Sequence, residues 1–170
     1  CYTTNEKGLF YPMKKLKIYC LLLLLIFITT SSVYAKPTIT SDRKTFDIAS
    51  GQYLLEGNVS VATNSRVIKA GKARANVISI EGWGTDGVEV TQNDLSFYGD
   101  QVYVNGKSSL AQIDGGVKLE TNYTTITANQ VDYNWKTKIA TFHGNVVFTE
   151  GNTTSYFSVL QYNLEANTII

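Results

Sequence analysis

Leu55-Glu56-Gly57-Asn58-Val59-Ser60-Val61 alternates apolar and polar side chains around a central Gly-Asn pair. The pattern returns 29 residues later as Gly84-Thr85-Asp86-Gly87-Val88-Glu89-Val90, and again as Ile113-Asp114-Gly115-Gly116-Val117-Lys118-Leu119. A fourth copy reads Phe142-His143-Gly144-Asn145-Val146-Val147-Phe148. Four copies in register, with no insertion between them, signal stacked supersecondary units, each too small to bury its own apolar face. Strict alternation belongs to strands and not to helices. The repeat is β.

A second set of columns keeps the same spacing. Ile68, Phe97 and Ile126 align, then Ala70, Gly99 and Ala128, then Ala73, Val102, Val131 and Leu160, with Ala75, Val104, Tyr133 and Tyr162 beyond them. Extrapolation backwards places Phe46 and Ile48 in the half-unit before the first copy. Each unit is therefore two alternating segments joined by polar turns. Thr63-Asn64-Ser65, Thr91-Gln92-Asn93-Asp94, Asn105-Gly106-Lys107 and Thr149-Glu150-Gly151-Asn152 are such turns. Some four and two-thirds units predict nine or ten strands and no helix. Ala70 to Val77 is Ala-rich, but its counterparts in later units are rich in Val and Tyr.

In the first segment of each unit the apolar residues share one parity, Leu55, Val59 and Val61 for example, while Glu56, Asn58 and Ser60 take the other. One face of the sheet is dry and the other wet. Gly57, Gly115 and Gly144 fall on the dry parity, where a missing side chain admits a bulge or a bend. In the second segment the apolar parity switches between Ala70 and Ala73, and between Ala128 and Val131, which predicts a corner or bulge there. Bent strand pairs with one dry face close into a folded-over sheet, an open β-jelly roll or wide β-solenoid. Pattern alone leaves open whether the interior is a packed core or a groove.

The N-terminal region reads differently. The first residue is Cys1, and residues 1–12 are expected to lie upstream of the natural start. From Met13, the basic Lys14, Lys15 and Lys17 precede the apolar run Ile18–Ile28 and the small-residue ending Val33-Tyr34-Ala35. These are the three regions of an export signal over 13–35, with cleavage expected after Ala35. The eleven-residue apolar run is short against the roughly 20 that a spanning helix needs. Retention of the run as a membrane anchor is the alternative. Residues 36–170 then form one all-β domain.

That domain holds 11 Lys and Arg against 13 Asp and Glu, a net charge of −2, and neither of the chain's two cysteines. The balance argues against a nucleic-acid partner, and thiol chemistry is excluded. His143 is the single histidine, so neither a His-based metal cluster nor a Ser-His-Asp triad is available, and no cofactor is expected. Asp42 and Asp47 read as strand-edge charges, not as an acid/base pair. Gly82-Trp83-Gly84 lacks the Lys-Ser/Thr and helix start of a phosphate loop. Trp83 and Trp135 read as packing residues. No enzyme signal remains.

Glu56-Gly57-Asn58-Val59 followed by Ile68-Lys69-Ala70-Gly71-Lys72-Ala73, His143-Gly144-Asn145-Val146, and Ile126-Thr127-Ala128-Asn129-Gln130-Val131-Asp132-Tyr133 carry a resemblance. Behind an export signal they resemble the LptA/OstA family, the organic-solvent-tolerance-like proteins of lipopolysaccharide transport, over almost all of 38–170. In Gly87 and Gly116 the motif's Asn is replaced. The resemblance implies an open jelly roll that shelters lipid A acyl chains in a hydrophobic groove and bridges the inner and outer membranes in the periplasm. It implies lipopolysaccharide and other jelly-roll proteins of the transport bridge as partners, with head-to-tail association of copies through strand edges. Val59, Val88, Val117 and Val146, with Ile68, Phe97 and Ile126 on facing strands, are the expected acyl contacts. A membrane-anchored adaptor, the N-terminal part of an outer-membrane assembly component, and a structural or adhesive β-repeat with a closed core are the other readings.

Overall fold

The computed structural model describes residues 38–62, 66–76 and 78–170. The expected export signal and the turn Thr63-Asn64-Ser65 lie outside them. The strands are β1 (Thr38–Thr40), β2 (Arg43–Asp47), β3 (Gln52–Ala62), β4 (Val67–Asn76), β5 (Glu81–Gln92) and β6 (Leu95–Gly99). They continue with β7 (Gln101–Asn105), β8 (Leu110–Glu120), β9 (Thr124–Asn134), β10 (Ile139–Glu150), β11 (Thr153–Asn163) and β12 (Thr168–Ile169). All belong to one antiparallel sheet in which consecutive elements are neighbours, apart from β1 with β2 and β6 with β7. No helix occurs among the described residues.

Twelve strands replace the nine or ten expected because two strands of the repeat are interrupted. β1 and β2 both pair with β3 and are separated at Ser41-Asp42. β6 and β7 both pair with β5 and β8 and are separated at Asp100. Counted as single strands, they restore the two-strand unit.

The hairpins at one end repeat as strictly as the strands. Asn76, Asn105, Asn134 and Asn163 stand 29 residues apart, and each side-chain oxygen accepts two backbone N–H groups of the turn that follows. This arrangement supplies the acceptors that the chain reversal would otherwise leave to water. Each of these turns ends on a residue with positive φ: Ile80, Ser109, Lys138 and Asn167.

The Gly-Asn pairs are bulges. Registers shift across Glu56/Val59, Ala70/Lys72, Asp114/Val117 and His143/Val146. Both central residues have positive φ in every copy: Gly57-Asn58, Asp86-Gly87, Gly115-Gly116 and Gly144-Asn145. Glycine, asparagine and aspartate are the residues that tolerate this conformation, so the motif is a backbone requirement first. The replacement of Asn by Gly87 and Gly116 leaves the geometry intact.

At this line the sheet folds over. Leu119 and Ala111 lie eight residues apart on β8, about 26 Å in an extended strand. Phe97 pairs with Leu119, and Tyr133 with Ala111. Yet the Phe97 and Tyr133 ring centroids are 5.4 Å apart. Only a bend between them brings the two ends of the strands face to face.

Small residues make room along the bend. A side chain at Gly57 would collide with Asp42, and one at Gly115 with Asp100. In the second copy the roles reverse: Asp86 takes the bulge and glycine stands opposite at Gly71.

Candidate functional site

The site is the interior between the two layers, and four rows of side chains build it. On one side of the bend, Val59 pairs with Ala70 and Ala70 with Val88 nearest the corner. Val61, Ile68, Val90, Phe97, Leu119, Ile126 and Phe148 pair in sequence toward the rim. On the other side, Leu55, Ala73, Gly84, Val102, Ile113, Val131, Phe142 and Leu160 run near the corner. Tyr53, Ala75, Gly82, Val104, Ala111, Tyr133, Ala140 and Tyr162 form the opposite rim.

All seven expected contact residues point inward. Val59, Val88, Phe97, Val117, Ile126 and Val146 are buried, and Ile68 is half-buried. One expectation is corrected: Ile68, Phe97 and Ile126 do not face the four valines. All seven lie in the same layer, because the bend falls on the far side of the valines, between Glu56 and Val59 in the first copy. The facing wall is the set Leu55 to Leu160 and Tyr53 to Tyr162, which the sequence reading did not single out as contacts.

The rims meet in the C-terminal half. Phe97 stacks on Tyr133, and Phe148 lies 5.9 Å from Tyr162 across the layers. Leu119, Ile126, Ala140 and Phe142 beneath them are completely buried. In the N-terminal half the opposite wall carries Ala73, Ala75, Gly82 and Gly84, and the rim residues Val61, Ile68 and Val90 are only half-buried. Between the two halves the interior keeps an apolar slit lined by Ile68, Val90, Leu95 and Phe97 on one side and Val102, Val104, Ala111, Tyr133 and Trp135 on the other, with a free volume of about 30 Å³. That is room for about one water molecule.

Two polar residues stand at the mouth of the slit. Arg66, just before β4, donates from Nε and Nη2 to the Gln92 side-chain oxygen at 3.2 and 2.9 Å. Its guanidinium lies 5.6 Å from the Trp135 ring centre, in the turn that follows β9. Burial pushes the Tyr133 phenol up, and the nearby Arg66 charge opposes that shift. Beside the slit, turn residues of both rims, among them Asp94, Tyr123, Lys138, Glu150 and Glu165, line a cleft of about 560 Å³ together with Leu95, Tyr133 and Leu164.

The remaining singled-out residues fall elsewhere. His143 pairs with Asp132 at 3.3 Å on the outer face. Asp42 accepts from the Asn58 amide at 2.9 Å, and Asp47 caps the turn at Ala49 and Ser50. Trp135 packs on the core. Trp83 lies on the outer face, 5.5 Å from Tyr103 and with Arg74 at 5.2 Å. Arg66 was missed, although its column offered a signal: its counterparts at the 29-residue spacing are Leu95, Thr124 and Thr153, so it is the one charged residue there.

No curated protein sequence matches the chain. Among solved structures, the fold matches the crystal structure of LptH, the LptA-homologous periplasmic component of the lipopolysaccharide transport device of Pseudomonas aeruginosa. The TM-score is 0.60 at 12% sequence identity, over 74% of this chain and 93% of that one. The fold is thus the jelly roll expected from the repeat. The family of OstA-like proteins matches residues 38–159, across the bulge line and both walls of the interior, and the chain belongs to that family.

Proposed function

We propose that this protein is a periplasmic carrier of lipopolysaccharide that shelters lipid A acyl chains between its two layers and catalyses no reaction. The observation that carries this reading is the apolar interior of an OstA-like fold, which stays half-open where Ala73, Ala75, Gly82 and Gly84 form one wall. Lining of this kind suits acyl chains, since each buried methylene contributes about 0.8 kcal/mol. A dozen methylenes supply on the order of 10 kcal/mol before the losses of association. Neither a reacting group nor a cofactor is needed for that role.

The sheet edges support a place in a bridge between membranes. β11 meets β12 at Tyr162 and Asn163, the Ile170 N–H donates to the Gln161 carbonyl, and Thr153–Leu160 have no further strand partner among the described residues. An open edge of this length templates another strand, whether from a further segment of the same chain, a second copy or another jelly-roll protein. Jelly-roll partners of the transport bridge therefore belong to the proposal, as does head-to-tail stacking.

The closed core of the C-terminal half favours the competing reading, a structural β-repeat. Photo-crosslinking separates the two. A photoreactive residue at Ile68 or Leu95, in cells making lipopolysaccharide, is expected to yield a lipid adduct, and one at outer-face Lys69 is not. Equal yields at all three positions would remove the carrier reading and leave the structural one.

A further inference from the structure

The slit beneath Arg66 holds about one water, so no acyl chain enters it without a movement of its mouth. What spans that mouth is visible. Arg66 belongs to the rim of Ile68, and Trp135 to the rim of Tyr133 in the opposite layer. The Arg66 guanidinium lies on the Trp135 ring while its Nε and Nη2 hold Gln92. The three side chains form a strap across the gap between the layers. Beyond it the lining is Ile68, Val90, Leu95 and Phe97 on one side and Val104 and Ala111 on the other.

We propose that Arg66 is the headgroup-binding residue of this groove, and that its ligand is an amphiphile carrying a phosphate or other anionic group next to its acyl chain. The inference rests on the carrier reading and specifies its ligand. Arg66 is the only charged side chain among the described lining residues, and it stands where the apolar lining ends. A single chain threaded past Trp135 therefore brings its polar end to the guanidinium. A planar fork of five donors suits phosphate or carboxylate oxygens, and a contact between ions is stronger than the bond to the neutral Gln92 amide. The anionic headgroup takes the fork from Gln92, the stack on Trp135 is released, and the two rims separate. Binding and opening are then one event, because the group that closes the slit is the group that reads the ligand.

Trp83→Phe leaves Trp135 as the single tryptophan of the chain and turns its emission into a report on the strap. The purified protein with this change is titrated, below micelle concentrations, with decyl phosphate, decanol and inorganic phosphate. Decyl phosphate is expected to shift the emission and to bind at least about tenfold tighter than decanol, the ratio that one charge-assisted hydrogen-bond pair supplies. Inorganic phosphate alone is expected to leave the signal unchanged. Arg66→Gln removes the preference for decyl phosphate while decanol binding persists, which also verifies the fold of the variant. Arg66→Lys keeps part of the preference, since it retains charge without the fork. Equal affinity for both ligands, or a preference that survives Arg66→Gln, overturns the assignment of Arg66 and leaves the acyl groove standing. Saturation by inorganic phosphate alone makes the site an anion site and overturns the amphiphile. Binding of neither decyl ligand overturns the acyl groove and this inference with it.

Discussion

The two halves of the folded sheet use one repeat to build two different interiors. Around β8–β11 the rims are bridged by Phe97–Tyr133 and Phe148–Tyr162, and Phe142, Ile126 and Leu119 beneath are fully buried. Around β3–β5 the corner residues Leu55, Val59 and Val88 are just as buried, but the rims above them stand apart. The difference lies along one wall, where Val102 and Val131 have the counterpart Ala73, Ile113 and Phe142 have Gly84, Val104 and Tyr133 have Ala75, and Ala111 and Ala140 have Gly82. The turns follow the same division. Ile78 and Ile80 are exposed in the first half, where later copies carry Lys107, Lys136 and Glu165 in place of the one and Ser109, Lys138 and Asn167 in place of the other. A repeat thus fixes the backbone while the volume of a few side chains decides whether the space inside is filled.

The strongest way to break this comparison is to empty each half in turn. Phe142→Ala leaves a cavity in a completely packed site and is expected to destabilise by about 3–5 kcal/mol in urea titration. Ile68→Ala, at the half-open rim, is expected to lose only about 1 kcal/mol, because its methyl groups already border the slit. Comparable losses at the two sites would mean that both halves are equally closed.

A smaller effect tests whether the copies are interchangeable along the bend. Gly115→Asp places two carboxylates where Asp100 already fills the space, with an expected loss of about 2 kcal/mol. Asp100→Gly in the same chain recreates the arrangement of Asp86 beside Gly71 and is expected to restore at least half of that loss. Additive losses in the double variant would show that the exchange between copies is not compensation.

Tyr162 sharpens the picture of the closed half. Its hydroxyl is buried without a hydrogen-bond partner among the described residues, in a side chain that is otherwise completely packed. Tyr162→Phe is expected to stabilise the fold by about 1 kcal/mol, read as a rise in Tm. A fall in Tm would reveal a partner for that oxygen.

The smallest expected change in stability comes from filling the open half. An added Cβ at Gly82 meets only the Arg74 carbonyl, at 3.7 Å, so there is room for a side chain. Gly82→Leu is expected to change stability by less than about 1 kcal/mol while it reduces the binding of decyl phosphate. Undiminished binding would place the acyl chain away from this wall.

Much of this was legible in the residues. The 29-residue spacing and strand parity gave the unit, the dry face and the bulge positions, because alternation and positive-φ residues are local properties of the chain. The Asn76 to Asn163 column was equally regular, but only Asn105 was read as part of a turn, since polar residues attract less notice than apolar ones in a search for a core. The division into layers was not legible. Which side of a bulge Ile68 falls on is clear from sequence; what it faces depends on how far the sheet folds, and that angle is set by packing between residues far apart in the chain.

By itself, then, the sequence determined an all-β repeat, its inward face and the points where the strands bend. Tertiary structure alone decided that Phe97 meets Tyr133, that Ala75 and Gly82 leave the rims apart in the N-terminal half, and that Arg66 reaches Trp135 from the other layer. The reason is physical. Strand periodicity is written into neighbouring residues, whereas the free volume between two layers is a sum over side chains that only the fold brings together.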